Sequence, residues 1–360
     1  MARSKVYNFS AGPSMMPLSV LEKAKSELLD YKGSGMSVME MSHRSKIFEE
    51  IFDSASNRLR ELLQVPDSHD ILFLQGGATL QFASIPLNLI RGGTADYAIT
   101  GNFSNIAAQE ARKYGTVHVV CDSSSTGHDR IPSQQELQLS QDAKYFYYCS
   151  NNTAYGTEWQ YVPETDCPLV CDMSSDILTR PIDWSRHGLV YAGAQKNMSA
   201  AGLTVVIVDK SLLGHEMGIT PKVMSYKILS ETGSMLNTPP CWCIYMLDLM
   251  LEWLQQQGGI KAMVEQKERK AQILYGYLDQ SKLFKAHALP GSRSYMNVTF
   301  TTGSPELDAE FVSSAAEKGL VNLKGHKVLG GIRASIYNAM PLEGVQALAE
   351  HMKEFEKDHV

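Results

Sequence analysis

A lysine set between two apolar runs constrains this chain more than any other feature. Residues 188–209 read GLVYAGAQKNMSAAGLTVVIVD. Leu189, Val190, Tyr191 and Ala192 form a short apolar run. A polar turn follows with Gln195, Lys196 and Asn197, and 203–208 is apolar again. Short, β-branched runs bounded by glycine predict buried strands. A lysine at the mouth of such strands sits where burial depresses its pKa, and a depressed lysine is a nucleophilic amine suited to a Schiff base with a carbonyl. The alternative is that Lys196 snorkels to solvent from a loop. A third run, 169–172, ends in Asp172 and leads into Met173, Ser174 and Ser175. If these strands run parallel, Asp172 and Lys196 both lie at carboxyl ends, where open α/β sheets bind ligands. One amine and one carboxylate there match pyridoxal phosphate, the amine taking the aldehyde and the carboxylate keeping the pyridine nitrogen protonated. An Asp–Lys ion pair without chemistry is the competing reading.

Upstream, short apolar runs alternate with helical spacing, which predicts an α/β fold with a mostly parallel, doubly wound sheet. Helices are expected over 18–31, with Ser19 as N-cap, and over 45–63. A strand at 71–74 meets Gln75-Gly76-Gly77-Ala78-Thr79 and then a helix over 80–88. Strand, glycine turn and helix is a phosphate-cradle arrangement, because amides of the first helical turn point at an anion. Two glycines in a βα turn also arise for steric reasons alone. Neither a Walker A sequence nor GxGxxG is present, so nucleotide readings lack their motifs. After a strand at 95–100, Phe103 stands where it either stacks on a planar ring or joins the core. After a strand at 145–149, Thr153 is placed to donate to a ligand.

The 360 residues suit two domains. A turn-rich run at 233–240, a long helix and Gly258-Gly259 place the boundary. The expected division is an N-terminal arm over 1–15, a large domain over 16–257 and a smaller C-terminal α/β domain over 258–360. The arm either crosses an active-site mouth or has no part in chemistry. His43-Arg44, just before a helix, either holds an anion or is a solvated pair. In the second domain Gly325-His326-Lys327 stands near Arg333, which lies in an otherwise apolar strand. A buried arginine needs a carboxylate, either the protein's own or a substrate's.

The net charge of −6 comes without a basic stripe interleaved with aromatics, which argues against nucleic acid. No apolar run reaches membrane-spanning length, and MARSKVYNFSAGP lacks the apolar core of a secretory signal. The six cysteines include no CxxC pair, and Cys241-x-Cys243 has no second pair, which argues against a metal site. They read as core thiols of a reducing compartment, and the chain as cytoplasmic.

Eight motifs in order resemble the phosphoserine aminotransferases, a family of class V aminotransferases in the fold-type I pyridoxal-phosphate group. They are 8–13 (NFSAGP), 42–44 (SHR), 76–79 (GGAT), 172–175 (DMSS), 193–197 (GAQKN), 237–240 (NTPP), 325–327 (GHK) and 333–341 (RASIYNAMP). The resemblance runs end to end. It implies exchange of an amino group between L-glutamate and 3-phosphohydroxypyruvate, giving 2-oxoglutarate and O-phosphoserine, in serine biosynthesis. It leaves open a second substrate, a phosphorylated hydroxythreonine of pyridoxine synthesis. It implies that Lys196 carries pyridoxal 5'-phosphate and moves the proton, that Asp172 pairs with the pyridinium, that Phe103 stacks on the ring and that Thr153 bonds its hydroxyl. Ala78, Thr79 and Gln195 would hold the cofactor phosphate, joined by Asn237 and Thr238 from the second subunit of a homodimer. Arg333 would bind the substrate α-carboxylate. His43 and Arg44 of the partner chain, with His326 and Lys327, would bind the distal anion. Many members carry tryptophan where this chain has Phe103, and some carry arginine where it has Thr79. A cysteine desulfurase would need a reactive cysteine near the end of the chain, and all six lie before Met246.

Overall fold

The computed structural model describes residues 6–360; the first five residues of the arm expected over 1–15 lie outside the described residues. The chain opens with a two-residue strand β1 (Tyr7–Asn8) and helices α1 (Leu18–Ser26) and α2 (Lys46–Leu63). Then follow β2 (His69–Leu74), α3 (Gly77–Leu89), β3 (Thr94–Ile99), α4 (Asn102–Ala111), β4 (Thr116–Asp122) and β5 (Phe146–Cys149). A small hairpin, β6 (Asn151–Asn152) and β7 (Thr157–Glu158), precedes β8 (Leu169–Asp172), β9 (His187–Gly193) and β10 (Thr204–Asp209). After α5 (Tyr226–Glu231), α6 (Cys241–Gln256) and α7 (Gly259–Leu278) come β11 (Lys285–Ala286), β12 (Asn297–Thr301), α8 (Pro305–Glu317), β13 (Leu320–Val321), β14 (Ile332–Ser335) and α9 (Leu342–His359).

The main sheet has seven strands in the order β2-β10-β9-β8-β5-β3-β4. Pairs β9–β8, β8–β5, β5–β3 and β3–β4 are parallel, while β10 is antiparallel to both β9 and β2. Only β10 therefore runs against the rest, and the expected mostly parallel sheet is observed. Alternate residues feed two cores, as the period of two requires. Phe146, Tyr148, Cys171 and Val190 join Phe48 and Leu59 of α2 and Leu247 of α6. Tyr147, Val170 and Tyr191 join Phe82 of α3 and Ala108 of α4 on the other face. Helices on both faces of a parallel sheet leave its carboxyl ends as the open rim.

A smaller antiparallel sheet, β11-β12-β14, packs against α7, α8 and α9 around Phe284, Phe311 and Phe355. The N-terminal segment joins this part: β1 pairs in parallel with β13, and Phe9 is fully buried in the same core. Helix α7 reaches both cores, with Met263 in one and Leu274 in the other.

Three local expectations are corrected. Helix α1 stops at Ser26 rather than near residue 31, and Leu29 is 84% exposed, so the apolar spacing there does not mark a core face. Its N-cap is Pro17, not Ser19: Pro17 stands at ψ 138°, outside the helix, and Leu18 is already helical, which puts Ser19 inside the first turn. Helix α3 begins at Gly77, earlier than expected, since Gly76 turns the chain at φ 90°. A Cβ there would run into the Leu80 side chain at a backbone angle that L residues rarely adopt, so glycine is required. That early start puts the amides of Ala78 and Thr79 in the first turn.

Candidate active site

Lys196 follows β9 directly, at the open rim. Its Nζ donates to the hydroxyls of Thr153 at 2.7 Å and Ser175 at 2.9 Å, which also bond each other. Burial pushes the ammonium below its ordinary value, and the Asp172 carboxylate acts in the opposite direction. The amine also stands 5.7 Å from the centre of the Phe103 ring, at the start of α4. The snorkelling alternative fails: both acceptors are buried hydroxyls.

Asp172 ends β8, in register with Tyr191 of β9, and is 4% exposed. Its Oδ1 accepts the Ser174 amide at 2.9 Å and its Oδ2 the Tyr191 hydroxyl at 3.0 Å. Among the described residues no cation lies within ion-pair distance of it, so a bare Asp–Lys pair is not what these residues form.

The N-terminal segment crosses this rim. Ser14 N donates to the Gln195 carbonyl at 2.9 Å, and the Ser14 hydroxyl bonds the Lys196 carbonyl. A Cβ on Gly12 would lie 3.3 Å from Lys196 Cγ. Tyr337 clamps the same strap by donating to the Ala11 carbonyl at 2.7 Å. Of the two readings of the arm, contact with the site is the one observed.

At the cradle, α3 has no side-chain cap, so its first amides face outward with the exposed Thr79 and half-buried Ala78. Asn237 and Thr238 are exposed on the loop before α6. Gln75 Nε2 donates to the Thr238 carbonyl at 2.7 Å, and a cavity of about 340 Å³ runs from Gly76 to Asn237.

Arg333 stands in β14 with Nη1 donating to the Thr153 carbonyl at 3.2 Å. Burial lowers its pKa, and among the described residues no carboxylate pairs with it. The structural salt bridge left open by the sequence is thus absent. His326 lies edge-on to Phe103, ring centres 6.5 Å apart, and burial with the charges of Arg333 and Lys327 lowers its pKa. Lys327 is exposed. His43 and Arg44 make no side-chain contact with these groups; Arg44 is exposed and His43 Nε2 is buried without a hydrogen-bond partner. One chain therefore brings together Lys196, Asp172, Phe103, Thr153, Gln195, Arg333 and His326, sets Asn237 and Thr238 beside the cradle through Gln75, and leaves His43 and Arg44 apart.

Sequence reasoning missed Ser175, Tyr191, Ser14 and Tyr337 as members of the site. Ser175 and Tyr337 lay inside quoted motifs; Tyr191 and Ser14 are hydroxyls in an apolar and an irregular run with no local mark. The donor set fits pyridoxal 5'-phosphate: a desolvated amine, a buried carboxylate lacking a cation, uncapped helix amides and an unpaired guanidinium share one rim.

The aminotransferase class-V family matches residues 6–348. A phosphoserine aminotransferase of Bacillus cereus is 50% identical over 357 residues, 99% of each chain. That of Azotobacter vinelandii is 49% identical over the same length, again 99% of each. The solved phosphoserine aminotransferase from Bacillus circulans subsp. alkalophilus superposes with a TM-score of 0.97 at 42% identity, covering 99% of this chain and 100% of that one. The pyridoxal-phosphate-bound enzyme from Trichomonas vaginalis gives 0.93 at 40% identity, covering 97% and 99%. Full-length identity of this order, on the same architecture and around the same rim, places the chain in the aminotransferase class-V family, among its phosphoserine aminotransferases.

Proposed function

We propose that this protein is a pyridoxal-phosphate-dependent phosphoserine transaminase, interconverting L-glutamate plus 3-phosphohydroxypyruvate and 2-oxoglutarate plus O-phospho-L-serine in serine biosynthesis. Bound at this rim, the cofactor supplies an electrophilic carbon for the amine and a sink for the electron pair left when the Cα–H bond breaks. The chain's own residues do the rest. Lys196 Nζ, with its pKa lowered by burial, is free to take the α-proton and return it. Asp172 would face the pyridine nitrogen and Phe103 the ring. Thr153 would give its hydroxyl to the ring oxygen once the amine is engaged. The uncapped amides of Ala78 and Thr79, with Gln195, would hold the phosphate.

Both substrates carry an α-carboxylate and a distal anion, so one guanidinium and one basic cluster serve both. The observation that carries the reading is Arg333, a half-buried guanidinium without a carboxylate of its own, held beside Thr153. His326 and Lys327 lie on its side of the rim for the distal anion. His43 and Arg44 make no contact with these groups, and Asn237 and Thr238 border the cradle only through Gln75 and its cavity; a second copy would supply all four to the facing site, making the active form a homodimer. The division at 257/258 fits Gly258, whose φ of 98° separates α6 from α7. Among the described residues no helix is long and apolar enough to cross a membrane.

The test is the visible spectrum of the protein with pyridoxal phosphate. A yellow protein that bleaches with O-phosphoserine and recovers with 2-oxoglutarate supports the reading. A yellow protein indifferent to phosphoserine keeps the cofactor and removes the substrate. A protein that stays colourless overturns the assignment of Lys196 and Asp172.

A further inference from the structure

Behind Asp172 lies a pile of tyrosines that the reaction as described does not use. Tyr147 of β5 and Tyr191 of β9 flank β8 on either side. Both side chains point to the same face as Val170 and Asp172, two residues apart on β8. Tyr191 is fully buried and Tyr147 equally so. Below them Tyr97 stacks on Tyr147 with ring centres 4.7 Å apart, and the Tyr97 and Tyr145 hydroxyls meet at 2.7 Å.

The direction of the hydrogen bonds follows from counting protons. Tyr191 donates its single hydroxyl proton to Asp172 Oδ2 at 3.0 Å. The Tyr147 hydroxyl, 2.8 Å from that of Tyr191, must then be the donor of the second bond. The chain runs Tyr147 to Tyr191 to Asp172, every proton pointing toward the carboxylate. Burial holds both phenols far above their ordinary pKa, so they remain donors. Phenylalanines would fill the same space without burying two hydroxyls in an apolar sheet face, which is costly unless the bonds serve a purpose. Donation onto a charged acceptor is stronger than between neutral groups, and linked donors polarise one another.

We infer that Tyr191, backed by Tyr147, is a positioning residue that holds the Asp172 carboxylate fixed toward the pyridine nitrogen of the cofactor. The inference rests on the cofactor reading of Asp172 and Lys196 given above.

The test strips cofactor from the wild type and from Y191F, Y147F and the double variant, and measures the dissociation constant for added pyridoxal phosphate. Losing a hydrogen bond to a charged group predicts a rise of roughly tenfold for Y191F. Y147F acts only through Tyr191 and should give a smaller rise, about threefold. The double variant should bind no worse than Y191F, since the two hydroxyls form one series. The KM for O-phosphoserine should stay within about twofold, because the α-carboxylate is bound elsewhere. Additive losses would mean that the tyrosines act separately through packing, and would overturn the relay. A Y191F protein that folds and binds cofactor as the wild type does would overturn it outright. Should Y191F not fold, Y147F decides: unchanged affinity there overturns the inference, and weakened affinity supports it. A wild type that fails to bind pyridoxal phosphate would instead remove the cofactor reading itself.

Discussion

Arg333 and Lys196 meet on a single residue: Arg333 Nη1 donates to the Thr153 carbonyl at 3.2 Å, and Lys196 Nζ to the Thr153 hydroxyl at 2.7 Å. The guanidinium comes from the small sheet and the amine from the rim of the large one. Thr153 thus sets the spacing between the cation that would hold a carboxylate and the amine that would work on the adjacent carbon.

Arg333→Ala should raise the KM for both glutamate and O-phosphoserine by roughly 100-fold, the scale of losing a charged, forked contact. Cofactor retention should change little, because the one hydrogen bond of Arg333 among the described residues goes to the Thr153 carbonyl, not to a group expected to hold the cofactor. Arg333→Lys keeps the charge without the fork and should fall between. Steady-state kinetics beside the visible absorbance separates the two quantities. An unchanged KM would remove Arg333 from the carboxylate site.

Lys196→Ala should lower turnover by about 1,000-fold or more, since it removes the buried amine held at Thr153 and Ser175 that would move the proton. The fold should survive, because the native state bears a cost for burying this ammonium. Circular-dichroism melting and single-turnover spectra check the two halves. Turnover near the wild-type value would end the mechanism.

The charged members of the site were legible because each is out of place locally. Lys196 follows an apolar run, Asp172 ends one and Arg333 interrupts one, and ionisable groups are seldom put in such positions idly. Thr153 was legible from its place after a strand. Ser175 and Tyr191 were not, since hydroxyls in a half-apolar run are ordinary and their partners become neighbours only when β5, β8 and β9 align. The approach of Gly12 to Lys196 is equally invisible in one dimension. The sheet was legible in its strands but not in the reversed direction of β10, because strand periodicity carries no sign of orientation. Strands β1 and β13, two residues each, are too short to leave a pattern. The end of α1 was misjudged because Leu28 and Leu29 continue the helical spacing while pointing to solvent.

Gly12→Ala separates strain from contact. Gly12 holds φ 143°, and its new Cβ would press on Lys196 Cγ at 3.3 Å. Gly33 holds φ 78° with nothing within 4 Å of a Cβ. Both substitutions should cost about 1–3 kcal/mol through backbone strain. Only Gly12→Ala should also lower kcat, by several-fold, since it alone shifts the lysine. Denaturant midpoints and kcat measured together decide it, and equal kcat for both variants would detach the strap from catalysis.

Lys270 should make stability depend on pH. It is 2% exposed in α7, with Nζ 2.7 Å from the Tyr337 carbonyl and 3.2 Å from that of Met340. Two acceptors match the two protons of a neutral amine, and burial pushes its pKa down to about 7 from 10.5. Between these values the unfolded chain holds the proton and the native chain does not. Stability from this group therefore rises with pH above about 7, by up to ~1.4 kcal/mol per pH unit, and is level below it. Because other groups titrate over the same range, the informative quantity is the difference between wild type and Lys270→Met. Urea midpoints from pH 6 to 9 should show the wild type gaining on the variant as pH rises. A difference independent of pH would mean that the buried lysine keeps its proton in the folded protein.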